Sequence, residues 1–215
     1  TIAAWDMQES SGPLLPAKGG IEIPAFNSPG TAAGPAAGLS SRKLLLSSSQ
    51  RFEASLPALQ PNQAFRYWQK VAGFTNNRTL FIGSSSATTV NNDGQLIIRS
   101  NISQIFAKIA ANDGLSTQNV FTGNVSTFTE WVRVEIEAGQ TPASTGLTFR
   151  IYYLELGVNT SGASSEYSVP TGSVPFGWNS DGGDETNIFG AVLLNRPFTT
   201  EERTADLTPR LWADL

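Results

Sequence analysis

Apolar and polar side chains alternate through much of the chain beyond residue 64, and this pattern predicts strands. Val132, Val134 and Ile136 alternate with Arg133, Glu135 and Glu137, while Phe149, Ile151 and Tyr153 alternate with Thr148, Arg150 and Tyr152. A period of two puts every second side chain on one face, so each run is expected to bury one apolar face. The charges at Arg133, Glu135 and Glu137 then read as a solvated ladder on the other face. Around Trp68 the same phase sets Arg66 and Lys70 on its side, against Phe65 and Val71. Asn92-Asp93-Gly94 and Asn112-Asp113-Gly114 carry the Asp-Gly turn signal, and Leu96-Ile97-Ile98 and Ile105-Phe106-Ala107 between them read as paired strands. Later, Val174-Pro175-Phe176-Gly177-Trp178 reads as a strand, residues 179–186 as a polar loop, and residues 187–194 as a strand running through Gly190. Thr199-x-x-Glu202 has capping-box spacing, which predicts one short helix over residues 200–206. There is no long helical periodicity, no internal repeat and no heptad pattern.

The length of 215 residues fits one domain spanning 1–215, with enough chain to bury a real core. The Gly/Pro/Ala tract at residues 27–41 is expected to be a long surface loop rather than a linker, because the strands before it are too few to make a domain. Charged residues are 15% of the chain, against roughly 25% in an average soluble protein. Gly and small polar residues fill the difference, as a turn-rich β protein requires. The net charge of −4 and pI near 4.9 argue against nucleic acid or an anionic membrane as the main partner. No apolar run reaches the roughly 20 residues of a membrane-spanning helix. No signal peptide is visible; Thr1 is small enough to follow a removed initiator Met, and a mature secreted protein could begin the same way.

The chain contains neither Cys nor His. That removes Ser-His-Asp and Cys-His nucleophilic chemistry, His- or Cys-ligated zinc, and disulfides. Carboxylate chemistry and oxygen-ligated ions such as calcium remain. The acidic loop Asp181-Gly182-Gly183-Asp184-Glu185 is the candidate calcium site, with Asp181 and Asp184 as ligands and glycines that let the loop fold tightly. An ordinary polar hairpin loop is the competing and preferred reading. Trp178 adjoins this loop, and sugars stack their C–H faces on Trp and Tyr. A ligand site there would be built from Trp178, Asn179, Asp181 and Asn187, though Trp178 reads equally well as core. Trp68 and Trp131 are expected in the core. Asn77, Asn101, Asn124 and Asn159 begin Asn-x-Ser/Thr sequons, frequent by chance in so polar a chain, and are expected on surface loops.

The closing run, from Val174 through Phe189-Gly190 to Asn195-Arg196 and Thr199-x-x-Glu202, resembles the end of laminin-G-like domains of the concanavalin A-like lectin/glucanase superfamily. Trp5-Asp6 with Ser11-Gly12, Arg42-Lys43-Leu44, Ala64-Phe65-Arg66-Tyr67-Trp68 and Glu130-Trp131-Val132 stand where such domains place earlier strands. The resemblance implies an all-β, antiparallel two-sheet jelly-roll sandwich with one short C-terminal helix. Jelly-roll glucanases of that superfamily carry carboxylates at i, i+2 and i+4 of one strand. Here Glu135 and Glu137 supply two, but Gly139 and Arg133 occupy the flanking positions, so no catalytic residue is expected. The implied function is a non-catalytic module recognising a cell-surface or extracellular glycan, with calcium as its one conceivable cofactor. The related domains also occur on bacterial surface proteins and bacteriophage virions. A decoration or fibre protein at a virion or extracellular surface, contacting other virion proteins and forming a homo-oligomer, is therefore the expected setting. A purely structural virion protein without a sugar site is the alternative, and a glycoside hydrolase the least expected outcome.

Overall fold

A computed structural model describes residues 3–45, 48–57, 59–72, 77–82, 96–100, 105–110, 117–121, 130–139, 146–164, 172–181, 185–204 and 208–211. Numbered in chain order, the strands form two sheets in which every pairing is antiparallel. The first sheet runs β14 (Val158–Ser164), β13 (Leu147–Tyr153), β12 (Val132–Ala138), β7 (Ala64–Ala72), β16 (Glu185–Leu194), β1 (Ala3–Trp5), β2 (Lys18–Gly19). A hairpin of β4 (Gly30–Ala33) and β5 (Ser40–Leu45) joins it by pairing β5 with β16. The second sheet runs β11 (Thr117–Phe121), β10 (Ile105–Ala110), β9 (Leu96–Ser100), β8 (Asn77–Ile82), β15 (Ser173–Asp181), β6 (Arg51–Pro57), β3 (Ala25–Phe26). A single helix among the described residues, α1 (Thr200–Thr204), lies near the C-terminus.

The period-two runs bury the faces they predicted. Val132, Val134 and Ile136 join Phe149, Ile151 and Tyr153 in the main core, with Trp5, Phe52, Phe65, Tyr67, Leu80, Phe176 and Trp178. The capping box also forms. The Thr199 amide donates to Glu202 Oε2 at 2.7 Å, and the Glu202 amide donates to Thr199 Oγ1 at 3.1 Å. Both orphan donors at the helix start are thereby satisfied. The strands β9 and β10 pair as expected, with Ile97 opposite Lys108. The two Asn-Asp-Gly turns, Asn101 and Asn124 lie outside the described residues. Asn77 opens β8, and Asn159 sits exposed on β14 rather than in a loop.

Residues 27–41 are not the long loop their composition suggests. They hold β4 and the start of β5, closed by a turn in which the Gly34 amide donates to the Leu39 carbonyl at 2.8 Å. Small residues fit here because the strand is short and half exposed, so little side-chain bulk is needed. The N-terminal segment beneath is held by buried Arg42, whose guanidinium reaches the carbonyls of Gly12 at 2.8 Å and Pro29 at 3.3 Å and lies 3.6 Å from Glu9.

Two glycines fix the geometry of β15 and β16. Gly190 takes φ +53° at a bulge where Phe189 pairs with Trp68 but Val192 pairs with Arg66. The extra residue resets which face each side chain takes, and a left-handed φ favours Gly there. At Gly177 a Cβ would collide with the Phe52 carbonyl and the Phe81 ring, so β6 and β15 approach only because the side chain is absent.

Candidate functional site

Burial takes Trp178 out of the loop-centred site. Trp178 is 0% exposed, with its ring packed at 5.3 Å from Phe176, 5.9 Å from Tyr67 and 6.0 Å from Phe65. Its Nε1 has no hydrogen-bond partner among the described residues. A stacking platform needs a ring face in solvent, so Trp178 is core and not a sugar platform. Asn179 follows it on the opposite face of β15, by strand alternation. Asn187 sits on β16 in the other sheet, opposite Lys70, and its Nδ2 donates to Glu185 Oε1 at 2.8 Å. Asp181 ends β15 opposite Arg78. The preferred hairpin reading also gives way, because β15 and β16 belong to different sheets. Asp184, and with it the Asp181–Asp184 calcium pair, lies outside the described residues. Among those described, no group of three or more acidic side chains is placed to hold a metal.

A different constellation stands on the outer face of the first sheet. In register across three strands, Glu135 is flanked by Arg66 on β7 and Arg150 on β13. Glu135 Oε1 lies 2.7 Å from Arg66 Nη2 and 3.0 Å from Arg133 Nη2. Glu137 takes Arg150 Nη1 at 2.8 Å, Arg203 Nη2 at 2.6 Å, and the Phe198 amide at 2.9 Å. The expected solvated ladder is therefore wrong: Arg133 and Glu135 are each 2% exposed. The cause is the C-terminal segment, which folds back over the sheet. Phe198 lies 4.0 Å from the Arg66 guanidinium and packs with Ala4, Ala64, Val192 and Leu194. Leu211 packs against Trp68, Trp131, Tyr152 and Phe189. Trp68 and Trp131 are thus buried as expected, but beneath the C-terminal segment and not between the sheets.

The helix binds this face through its own unsatisfied end. Arg66 Nη2 donates to the Glu202 carbonyl at 2.8 Å and Arg133 Nη2 to the Arg203 carbonyl at 2.9 Å. These are last-turn carbonyls that lack intrahelical partners, and cations suit them. Sequence reasoning missed this site because it read β12 alone. The signal was present in the matching phase of Arg66, Glu135 and Arg150, which only the strand register brings together.

The electrostatics argue against acid–base work. Burial pushes the Glu137 carboxyl up, but hydrogen bonds from Arg203, Arg150 and the Phe198 amide outweigh it and hold the group below its ordinary value. A general acid needs the opposite shift, towards neutrality. Glu202 is held at about 2, chiefly by Arg196, which bonds both of its oxygens at 2.7 Å. Both groups favour the folded state when ionised, so their contribution is complete above the ordinary value of 4.5 and is lost as pH falls below it. Stability should accordingly decline between about pH 4.5 and about pH 2. Glu202→Gln should flatten part of that decline in denaturant unfolding measured across the range, whereas an unchanged slope would show that this pairing contributes nothing.

A cavity of about 230 Å³ is lined by residues of β12, β13, β14 and α1. Its floor is Glu135 and Arg150, its outer wall is Asn159, Thr160 and Ser161 of the edge strand β14, and Arg203 and Thr204 close the helix side. Arg150 and Arg203 are each about a quarter exposed.

No family model and no curated protein sequence matches the chain. Solved structures do. The binding domain of botulinum neurotoxin DC, in complex with SialylT, aligns at a TM-score of 0.61 and 12% identity, covering 96% of this chain and 50% of that one. The chain therefore spans about half the length of that neighbour. A carbohydrate esterase of the Shiga toxin-encoding bacteriophage phi24B aligns at 0.55 and 13% identity, covering 90% and 97%. Lectin I of Ulex europaeus, in complex with the methyl glycoside of α-L-fucose, aligns at 0.54 and 10% identity, covering 88% and 95%. At such identities the likeness is one of fold, and the fold is the lectin-like, concanavalin A-type sandwich.

Proposed function

We propose that this domain is a non-catalytic glycan-recognition module whose site is the cavity between β14 and α1. The observation that carries the reading is that cavity itself. It is lined by Arg150, Asn159, Thr160, Ser161, Arg203 and Thr204, all polar residue types, around one concave space. Convergent polar groups in a concavity are what a sugar's hydroxyls require. Neighbours of the same fold support it, since two of them were solved with glycan ligands. The non-catalytic part rests on Glu135 and Glu137, each claimed by two arginines, and on the absence of His, which leaves no Ser-His pair for ester chemistry. Display on a bacteriophage virion, as a decoration or fibre protein beside other virion proteins, is the setting we favour. The phage esterase of similar fold is its support.

A structural role without a sugar site is the second reading. It is favoured by Leu156 and Val158, which lie 48% and 42% exposed at the β13–β14 hairpin, where a neighbouring subunit would cover them. A glycan array probed with the protein, with calcium and again with a chelator, separates the two. Binding in both conditions is the expected result. Binding only with calcium would move the site to Asp181 and Asp184, and silence in both would overturn the glycan reading in favour of the structural one.

A further inference from the structure

Resting on that reading, we infer that the cavity selects acidic sugars, holding the carboxylate of a uronic- or sialic-type residue on Arg150 and Arg203. Among the described residues the cluster around it contains four guanidinium groups, Arg66, Arg133, Arg150 and Arg203, and two carboxylates, Glu135 and Glu137. At the cavity one positive charge is left over, Arg150 and Arg203 against Glu137, in a chain whose net charge is −4. The excess is unevenly placed. Arg66 and Arg133 are 3% and 2% exposed, ion-pair with Glu135 and spend donors on the helix carbonyls. Arg150 and Arg203 share the single carboxylate of Glu137, and these are the two that reach the cavity. Arg203 also keeps a buried Nε without a hydrogen-bond partner among the described residues.

A surplus positive charge lining a partly enclosed cavity favours an anion there over a neutral group. The guanidinium fork suits a carboxylate, and charge-assisted hydrogen bonds are about twice as strong as neutral ones. The negative charges facing the cavity, Glu135 and Glu137, are already matched by the four arginines. The remaining wall is uncharged: Asn159, Ser161 and Thr204 suit hydroxyls and do not repel an anion. A simple anion hole would need none of these hydroxyl partners, and a neutral-sugar site would not need the charge excess.

The test is the same glycan array, carrying uronic, sialic and neutral glycans, run with the wild type, Arg150→Gln and Asn159→Asp. Arg150→Gln removes one cavity cation. Asn159→Asp places a negative charge at the exposed edge without touching any ion pair, which guards against a folding artefact in the first variant. We expect acidic glycans to be retained selectively, binding to weaken about tenfold or more in Arg150→Gln, which loses one charge-assisted contact, and in Asn159→Asp, which adds a repelling charge, and affinity to fall with added salt. Retention of neutral glycans alone would overturn the acidic-sugar inference and leave the glycan reading standing. Acidic glycans bound equally by both variants would overturn the cavity as their site. Displacement of acidic glycans by inorganic phosphate at the same concentration would show an anion site without sugar selectivity. Silence of the whole array would overturn both inferences.

Discussion

Trp178→Ala is expected to cost about 3–5 kcal/mol of stability, the range for truncating a large buried aromatic. The ring fills the space between the sheets, edge-on to Phe176 and Tyr67 and tilted against Phe65. Its removal leaves a void that the neighbours cannot fill. Next to it, Gly177 already brings the β15 backbone against the Phe52 carbonyl with no room for even a Cβ, so β15 cannot shift across towards β6. Cavity cost grows where the site cannot collapse, which places this substitution at the upper end. Trp178→Phe should lose markedly less, because it retains most of the apolar volume and gives up an indole N–H that has no partner among the described residues. Denaturant midpoints of the two variants check the ordering. Wild-type stability in Trp178→Ala together with lost glycan binding would restore Trp178 as an exposed platform.

The fate of Trp178 shows where sequence reasoning succeeds and where it stops. Alternation at Val132, Val134 and Ile136 and at Phe149, Ile151 and Tyr153 predicted both the strands and their buried faces, because period-two burial is a local property. Thr199 and Glu202 predicted the helix start for the same reason: a capping box spans only four residues. Burial of Trp178 is not local. Its alternation partner Phe176 pointed to a shared face, but which face met the other sheet depended on β15 and β16 lying in different sheets. The charge ladder failed in the same way. Arg133, Glu135 and Glu137 are laid out for solvent by every local rule, and they are buried because Phe198, the helix α1 and Leu211 return over that face. The Gly190 bulge then decides that Phe189 and Val192 both face that covering segment. The cavity could not be read at all, since it needs β12, β13, β14 and α1 in register.

Glu135→Ala should cost about as much as Trp178→Ala, for an electrostatic reason in place of a packing one. Removing one member of a buried ion pair typically costs about 3–5 kcal/mol, because the partner's charge stays buried without compensation. Here two partners, Arg66 and Arg133, lose their shared carboxylate at once. Neither can turn to solvent without releasing the Glu202 and Arg203 carbonyls and with them the helix. Replacing all three as Arg66→Met, Glu135→Leu and Arg133→Met should recover part of the loss, since apolar groups of similar size avoid the desolvation cost. Recovery should be incomplete, because those helix carbonyls would still lack their donors. The expected order of unfolding midpoints is therefore wild type, then the triple variant, then Glu135→Ala. A cost below about 1 kcal/mol for Glu135→Ala would mean that water screens the cluster as it does a surface pair. The same substitution carries a second expectation of opposite sign: it strips a negative charge from the cavity floor while leaving Arg150 and Arg203 in place. A site of this charge balance should then bind an acidic glycan more tightly in a less stable protein. Stability and affinity moving together would break the link between the arginine excess and recognition.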